Sequence, residues 1–473
     1  MAVALVVAVA VVIAGALVGR PVPLAKWVGA DDPGPGRSPS ASPAPPPVLA
    51  DVSGTAPMPT AAGVHAAIDA LVAEAGLGDR LHVSVRDVIS GDRLYERGAE
   101  TGTVPASTTK LVTAAAVLAA RGPGHRIPTR VVAGASPGEV VIVGGGDPTL
   151  AEGAKGAYVG AARMDRLAAQ VRKALGDVTV TKITADSSLF EGAAYGPGWD
   201  KDISDGCSAA ITALMVDGAW VDPKTRGCSK RHPKPELIAG QAFARALGVP
   251  ADVVKTVSTG TAPATSTTPA SSTPEQAPTP GAELGRVESP PMIRLVEVML
   301  SASDNTLAEA LARQVALARG QPASFAGAAT AMAEVLKELG LDPAQAKLAD
   351  GSGLSRQNRI SPALLTDLLV LAADGSRPEL AALFSGLPVG GWSGTLTNRY
   401  AGPASTDSAP GLGVVRAKTG TLTGVYSLSG LVTTADGRPL AFALLSDEVP
   451  VGFWAAEQAL DRIAATLASC GCR

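Results

Sequence analysis

Three short patterns in this chain carry residue types suited to acyl transfer: Ser107-Thr108-Thr109-Lys110, Ser303-Asp304-Asn305 and Lys418-Thr419-Gly420, each the single instance of its kind. A serine hydroxyl is a weak nucleophile until a neighbouring group takes its proton. Residues i and i+3 of a helix share a face, so Lys110 can reach back to the Ser107 hydroxyl. A lysine serves as a base when burial or nearby positive charge depresses its pKa. Lys418 can supply that charge, and a helix N-terminus adds positive partial charge beside Ser107. Alone, a Ser-x-x-Lys is more often a solvated helix start. Single occurrence and chain order make the three a set.

The elements that must position them are readable from periodicity. VPASTTKLVTAAAVLAARG is expected to be a helix opening at Ser107 and ending at Gly122. AAGVHAAIDALVAEAGL before it has helical spacing, and LHVSVRDVISGDRLYERG reads as strand, turn, strand. Helical spacing returns in PPMIRLVEVML and TLAEALARQVALARG. VVRAKTGTLTG and YSLSGLVTTADGRPLAFALLSDE read as strands, the last two joined at Ala435-Asp436-Gly437-Arg438, and FWAAEQALDRIAATLAS closes as an amphipathic helix. Helices before and after a terminal antiparallel sheet predict one α/β domain made from both ends of the chain, residues 61–126 and 288–473. Short strands and helices over 127–257 predict an inserted domain or domains. A Pro/Ser/Thr-rich loop is expected over 258–287, its densest part being Thr259–Glu283.

Bulk properties narrow the field. With 473 residues, more than one domain is expected, and 46% hydrophobic residues suffice for real cores. A net charge of -3 with no long basic run excludes an electrostatic case for nucleic acid. Four His and four Cys, without zinc spacings, point to no metal, and no cofactor is expected. Met1–Gly19 is an unbroken apolar stretch, about 28 Å long as a helix against a bilayer core of roughly 30 Å, so it is read as a membrane anchor or a signal peptide. Arg20 and Lys26 follow this run, opposite to what an outward-facing C-terminal domain calls for, which leads to the expectation of a short basic leader before the given start. Residues 20–60 read as a disordered Pro/Ala/Ser-rich linker. Four cysteines allow three pairings. Proximity favours Cys207 with Cys228 and leaves Cys470 and Cys472 a tight ring, consistent with export to an oxidising compartment.

The three patterns, in this order, are those of penicillin-binding proteins and class A β-lactamases. VGGGDPTL (Val143–Leu150), TADSSLF (Thr184–Phe190), ALMVDG (Ala213–Gly218), SASDNTLAEAL, DGSGLSRQNRIS (Asp350–Ser361), GTLTNR (Gly394–Arg399) and AKTGTLTGVYSLSG extend the match. From about residue 61 to the end, the chain resembles the D-alanyl-D-alanine carboxypeptidases of the DacB type, the class C low-molecular-weight penicillin-binding proteins of serine peptidase family S13. The resemblance implies a penicillin-binding/β-lactamase-like transpeptidase fold, an antiparallel sheet flanked by helices, with a large insertion of smaller α/β character. It implies a serine D-Ala-D-Ala carboxypeptidase, with D,D-endopeptidase action as a second activity of one site. Its substrate would be a peptidoglycan stem peptide ending in D-Ala-D-Ala, and β-lactams would acylate it. By the same resemblance Ser107 attacks, Lys110 accepts its proton, Ser303 relays a proton to the leaving amine, and Asn305 binds the acyl side. Lys418 and Thr419 hold the terminal carboxylate, the N–H groups of Ser107 and Thr421 form the oxyanion hole, and Gly420 joins Thr419 and Thr421 in the substrate-binding strand. The implied place is the cell envelope, anchored through the N-terminal segment if that is uncleaved and secreted otherwise. Trp392 and Ser393 depart from the family pattern, and Thr259–Glu283 resembles a lineage-specific extension.

Other readings were weighed on the same residues. Gly134-Ala135-Ser136-Pro137-Gly138 mimics a nucleophile elbow, but Pro137 lacks the N–H such an elbow uses. Gly144-Gly145-Gly146 is read as a strand-end turn, since no P-loop Lys-Ser/Thr follows. Asp350 is open between turn residue and cleft wall. Trp199, Trp220, Trp392 and Trp454 are expected to pack. A β-lactamase or esterase on the same fold would differ by fast deacylation. A silent peptidoglycan-binding protein would not need Ser107, Lys110, Ser303, Asn305 and Lys418 together.

Overall fold

The computed structural model describes residues 56–74, 76–199, 205–225, 227–257, 278–401 and 403–473. The expected membrane segment, the linker up to residue 55, and residues 258–277 of the Pro/Ser/Thr-rich tract lie outside these. Among the described residues no helix is long and apolar enough to cross a membrane.

The chain opens with α1 (Ala61–Glu74), which buries Val64, Ile68 and Val72, a four-residue repeat that keeps one face inward. Strands β1 (Leu81–Asp87) and β2 (Arg93–Arg97) form the first hairpin, and a 3₁₀ turn over Ala106–Thr108 leads into α2 (Thr109–Arg121). Gly122, at φ 79°, ends α2 as the sequence predicts. The insertion follows as β3 (Pro128–Ala133), β4 (Glu139–Val143), α3 (Met164–Leu175), β5 (Lys182–Asp186), α4 (Pro235–Leu247), β6 (Val254–Val257) and β7 (Glu283–Glu288). Then come α5 (Met292–Ser301), α6 (Asn305–Ala318), α7 (Phe325–Glu338), the short pair β8 (Ala346–Lys347) and β9 (Arg359–Ile360), α8 (Pro362–Ala373) and α9 (Ala382–Gly386). Strands β10 (Val415–Leu422), β11 (Val425–Thr433) and β12 (Pro439–Asp447), then α10 (Phe453–Ser469), complete it.

The two ends of the chain meet in one antiparallel sheet of order β10-β11-β12-β1-β2. β12 shows how the sheet is held. Its Ala441, Ala443 and Leu445 face the core built with α2, α5, α6, α7 and α8, while Leu440, Phe442 and Leu444 face the core shared with α1 and α10. That two-residue alternation makes the strand apolar on both faces and buries it throughout. The β11–β12 turn forms at the expected place, with Gly437 at φ 84° and the Thr434 and Arg438 backbones joined.

The insertion has its own mixed sheet, β6-β5-β4-β3-β7, and its own core with α3 and α4. β4 pairs parallel to β5, and β5 to β6, so a helix must carry each crossover. The expected loop over 258–287 is corrected at its end: Glu283–Glu288 is strand β7, paired antiparallel with β3. With two Glu, an Arg and a Gly in six residues, it carries little strand signal of its own. Its pairing with β3 and the burial of Leu284 place it in the sheet.

Candidate active site

Ser107 sits in the 3₁₀ turn at the head of α2, against the edge strand β10. Ala106, just before it, has φ 46°, a left-handed conformation that costs a non-glycine residue and recurs at functional sites. The turn is over-determined: Thr108 and Ser427 hydroxyls both donate to Pro105 O at 2.7 Å, and the Thr109 hydroxyl donates to Ala106 O at 2.9 Å. One turn on, Lys110 is fully buried. Its Nζ donates to Ser107 Oγ (2.9 Å), Asn305 Oδ1 (2.6 Å) and the carbonyl of Ser352 (2.6 Å). Of these acceptors only the serine hydroxyl can also donate. A neutral Lys110 that keeps its two remaining N–H bonds on Asn305 and Ser352 therefore turns its lone pair towards Ser107. Burial pulls the Lys110 pKa down to about 8, against the opposing pull of Asp350, Glu309 and Asp304.

The second pattern lies between α5 and α6. Asp304 caps α6, accepting the Leu307 N–H at 3.0 Å. Ser303 takes φ 57°, the second non-glycine residue of the site in the left-handed region. Its Oγ accepts from Lys418 Nζ at 2.9 Å, and Lys418 also donates to Thr419 O at 2.7 Å. Lys418 is buried on β10, and burial, then the neighbouring Lys110, holds its pKa well below the usual lysine range. Asn305 donates through Nδ2 to the carbonyl of Cys207 at 2.9 Å, which leaves its Oδ1 for Lys110.

On β10, Thr419 shares a 2.7 Å hydroxyl contact with Thr395. Gly420 pairs with Ser427 and lies against the turn that carries Ser107. A Cβ there would collide with Ser427 Oγ and come within 2.7 Å of Pro105 O and 3.0 Å of Ser107 N. Gly420→Ala is therefore expected to push the Ser107 turn off the strand, at an overpacking cost of about 1–3 kcal/mol. Acylation should slow about tenfold or more with a lower melting temperature, read by stopped-flow and a thermal melt.

Ser107, Ser303, Asn305, Thr419 and Thr421 all line one cleft of about 860 Å³. Lys110 and Lys418 are buried and bonded to its wall residues. The insertion contributes Cys207, Cys228, Trp220 and Arg231, the guanidinium lying 4.0 Å over the Trp220 ring. Cys207 and Cys228 are disulfide-bonded, and Cys470 and Cys472 are also paired. Because Cys207 O orients Asn305, Cys228→Ser is expected to loosen the site as well as the loop. Stability should fall by about 3 kcal/mol in a denaturant melt, and penicillin acylation should slow.

Asp350 is a turn residue: its carboxylate accepts from Gly353, Ser355, Asn358 and Trp199, so it shapes the loop that offers Ser352 O to Lys110. Trp199 is packed, but Trp392 and Trp454 are 80% and 74% exposed and do not pack as expected. Gly134–Gly138 is the β3–β4 turn, and Gly144–Gly146 follows the end of β4. The sequence reading missed Thr395, Ser352 O and Glu309. All three lie in segments that extend the family match, and Glu309 also stands out as an acid four residues beyond Asn305 on an Ala/Leu-rich helical stretch.

The match to the D-Ala-D-Ala carboxypeptidase 3 (S13) family spans residues 64–244 and 228–469. The chain belongs to this family. It is 40% identical over 446 residues to a carboxypeptidase of Mycobacterium tuberculosis, covering 92% of this chain and 91% of the relative. It is 39% identical over 441 residues to carboxypeptidase DacB of Mycolicibacterium smegmatis, covering 91% and 90%. The fold is similar to penicillin binding protein 4 (dacB) from Haemophilus influenzae, with a TM-score of 0.64 at 22% identity over 84% of this chain and 97% of that one. As an S13 peptidase it is by class a serine-type D-Ala-D-Ala carboxypeptidase with the penicillin-binding fold.

Proposed function

We propose that the S13 chemistry of this chain runs through an acyl-enzyme on Ser107, with substrate a peptidoglycan stem peptide ending in D-Ala-D-Ala. The observation that carries this reading is Lys110 Nζ at 2.9 Å from Ser107 Oγ with its other two bonds fixed on Asn305 and Ser352. Neutral Lys110 takes the serine proton as Oγ attacks the carbonyl between the two D-alanines. The oxyanion sits between the N–H groups of Ser107 and Thr421, where fixed donors stabilise developing charge. Ser303 passes its proton to the departing amine nitrogen and takes one from Lys418, which donates to it, and the proton that Lys110 took from Ser107 makes up the loss. The C–N bond breaks, and terminal D-alanine leaves. Lys418 and Thr419 hold its carboxylate, an anion that favours the charged form of Lys418, while Gly420 lets the strand approach and Asn305 holds the acyl side. Water then hydrolyses the ester, and the serine oxygen regains its proton.

The same reaction on a cross-linked peptide is D,D-endopeptidase cleavage. A β-lactam presents an amide of the same shape whose leaving group stays attached, and so traps Ser107. The substrate lies in the cell envelope, and Met1–Gly19 supports a location there, anchored or secreted. The test is incubation of purified protein with a fluorescent penicillin and, separately, a stem pentapeptide. A lasting adduct mapped to the Ser107 peptide and release of D-alanine are expected. Neither adduct nor release would overturn the reading, and rapid penicillin turnover without a lasting adduct would make the chain a β-lactamase.

A further inference from the structure

Behind the cleft, α6 buries a charge pair that the reaction above does not use. Glu309 and Arg313 are each 1% exposed, among the alanines and leucines of the helical core. Removing two charges from water is costly and is not by itself a route to stability. Arg313 Nη1 lies 3.7 Å from Glu309 Oε2, and the guanidinium stacks 4.2 Å from the Phe325 ring centre, while its Nε and Nη2 make no hydrogen bond. The arginine thus serves as a counter-ion, and the pair's hydrogen bonds to the rest of the site run through the glutamate.

Glu309 Oε1 accepts the N–H groups of Gly351 (3.0 Å) and Ser352 (2.7 Å). The carbonyl of Gly351 accepts from the Thr113 hydroxyl at 2.6 Å, and that of Ser352 accepts from Lys110 Nζ at 2.6 Å. The loop that holds the lysine is therefore pinned on one side by α2 and on the other by Glu309. Asn305, Glu309 and Arg313 recur every four residues, along one face of α6. One helix face accordingly delivers both fixed acceptors of Lys110: the Asn305 amide oxygen directly, and the Ser352 carbonyl through Glu309.

We infer that Glu309, with Arg313 as its counter-ion, is a positioning residue for Lys110, aiming the lysine's lone pair at Ser107 through the Gly351–Ser352 backbone. This rests on the reading of Lys110 as the base. Glu309 also adds negative charge near Lys110. The charged groups around that lysine are Asp304, Glu309, Asp350 and Lys418, and those around Glu309 are Asp350 and Arg313.

Two variants of the full chain test the inference by penicillin acylation rate against pH. Glu309→Ala removes the acceptor and is expected to slow acylation about 100-fold. KM for the pentapeptide should move less than about threefold, because the loop's job lies in the chemical step. Glu309→Ala also leaves Arg313 unpaired, so a second variant replaces both charges, Glu309→Gln with Arg313→Met. Glutamine can still accept the two N–H bonds, so this variant should acylate within about tenfold of the wild type. Its rising pH limb should move to lower pH, because a negative charge favouring the ammonium form of Lys110 is gone. A double variant that acylates as slowly as Glu309→Ala would overturn the inference, as would a folded Glu309→Ala with wild-type acylation. If Lys110→Ala itself acylates normally, the reading of the base fails instead, whatever Glu309 does.

Discussion

Replacing Ser107 by alanine is expected to abolish the penicillin adduct and to cut D-alanine release about a millionfold, the scale of removing the nucleophile from a serine hydrolase. The reason is local. Ser107 Oγ is the atom that Lys110 Nζ meets at 2.9 Å, and the strained Ala106 turn presents it to the cleft. Without that oxygen no ester can form, although the pentapeptide should still bind along Thr419, Gly420 and Thr421. Mass spectrometry after penicillin treatment, with a D-alanine assay, reads both halves. An adduct that survives Ser107→Ala would place the nucleophile elsewhere.

Lys110, read as the base, should give the next largest effect, because nucleophile and base act together. Lys110→Ala is expected to slow acylation on the order of 10⁴-fold. Lys110→Arg should fail nearly as badly, since a guanidinium stays protonated at working pH and has no lone pair to offer. That comparison separates a base from a mere cation. With Lys110 as the base, the reactive form is the neutral amine, and burial brings its pKa down to about 8. The acylation rate should therefore rise with pH through about 8 and level off above it, each unit below costing nearly tenfold. A rate flat from pH 6 to 9 would mean that Lys110 is not the group giving up its proton.

The burial behind this pH dependence was not visible in the spacing. Ser107 and Lys110 share a face because they lie three apart on a helix, and that is a property of the local chain. Lys110 titrates near neutrality because α6, the Asp350 loop and β10 close over it, and those come from residues about 190 to 310 positions away. Of the two causes open from the sequence, burial and the charge of Lys418, burial leads at Lys110, and the influence of one lysine on the other is felt at Lys418.

What the sequence determined by itself was everything set by short-range order. The Gly122 end of α2, the β11–β12 turn and the three motifs depend on neighbours within a few residues, and periodicity or turn chemistry reports them directly. Family-level function followed, because the three motifs are themselves local. Tertiary structure alone decided which groups meet. Glu283–Glu288 became a strand because β3 offered it an edge. Asp350 gained its long-range partner when Trp199 reached it. Asn305 acquired its amide orientation from Cys207, and Glu309 its part behind Lys110 from a loop some 40 residues on. Each is a contact between segments distant in the chain, where burial and hydrogen-bond satisfaction, not local propensity, select the outcome.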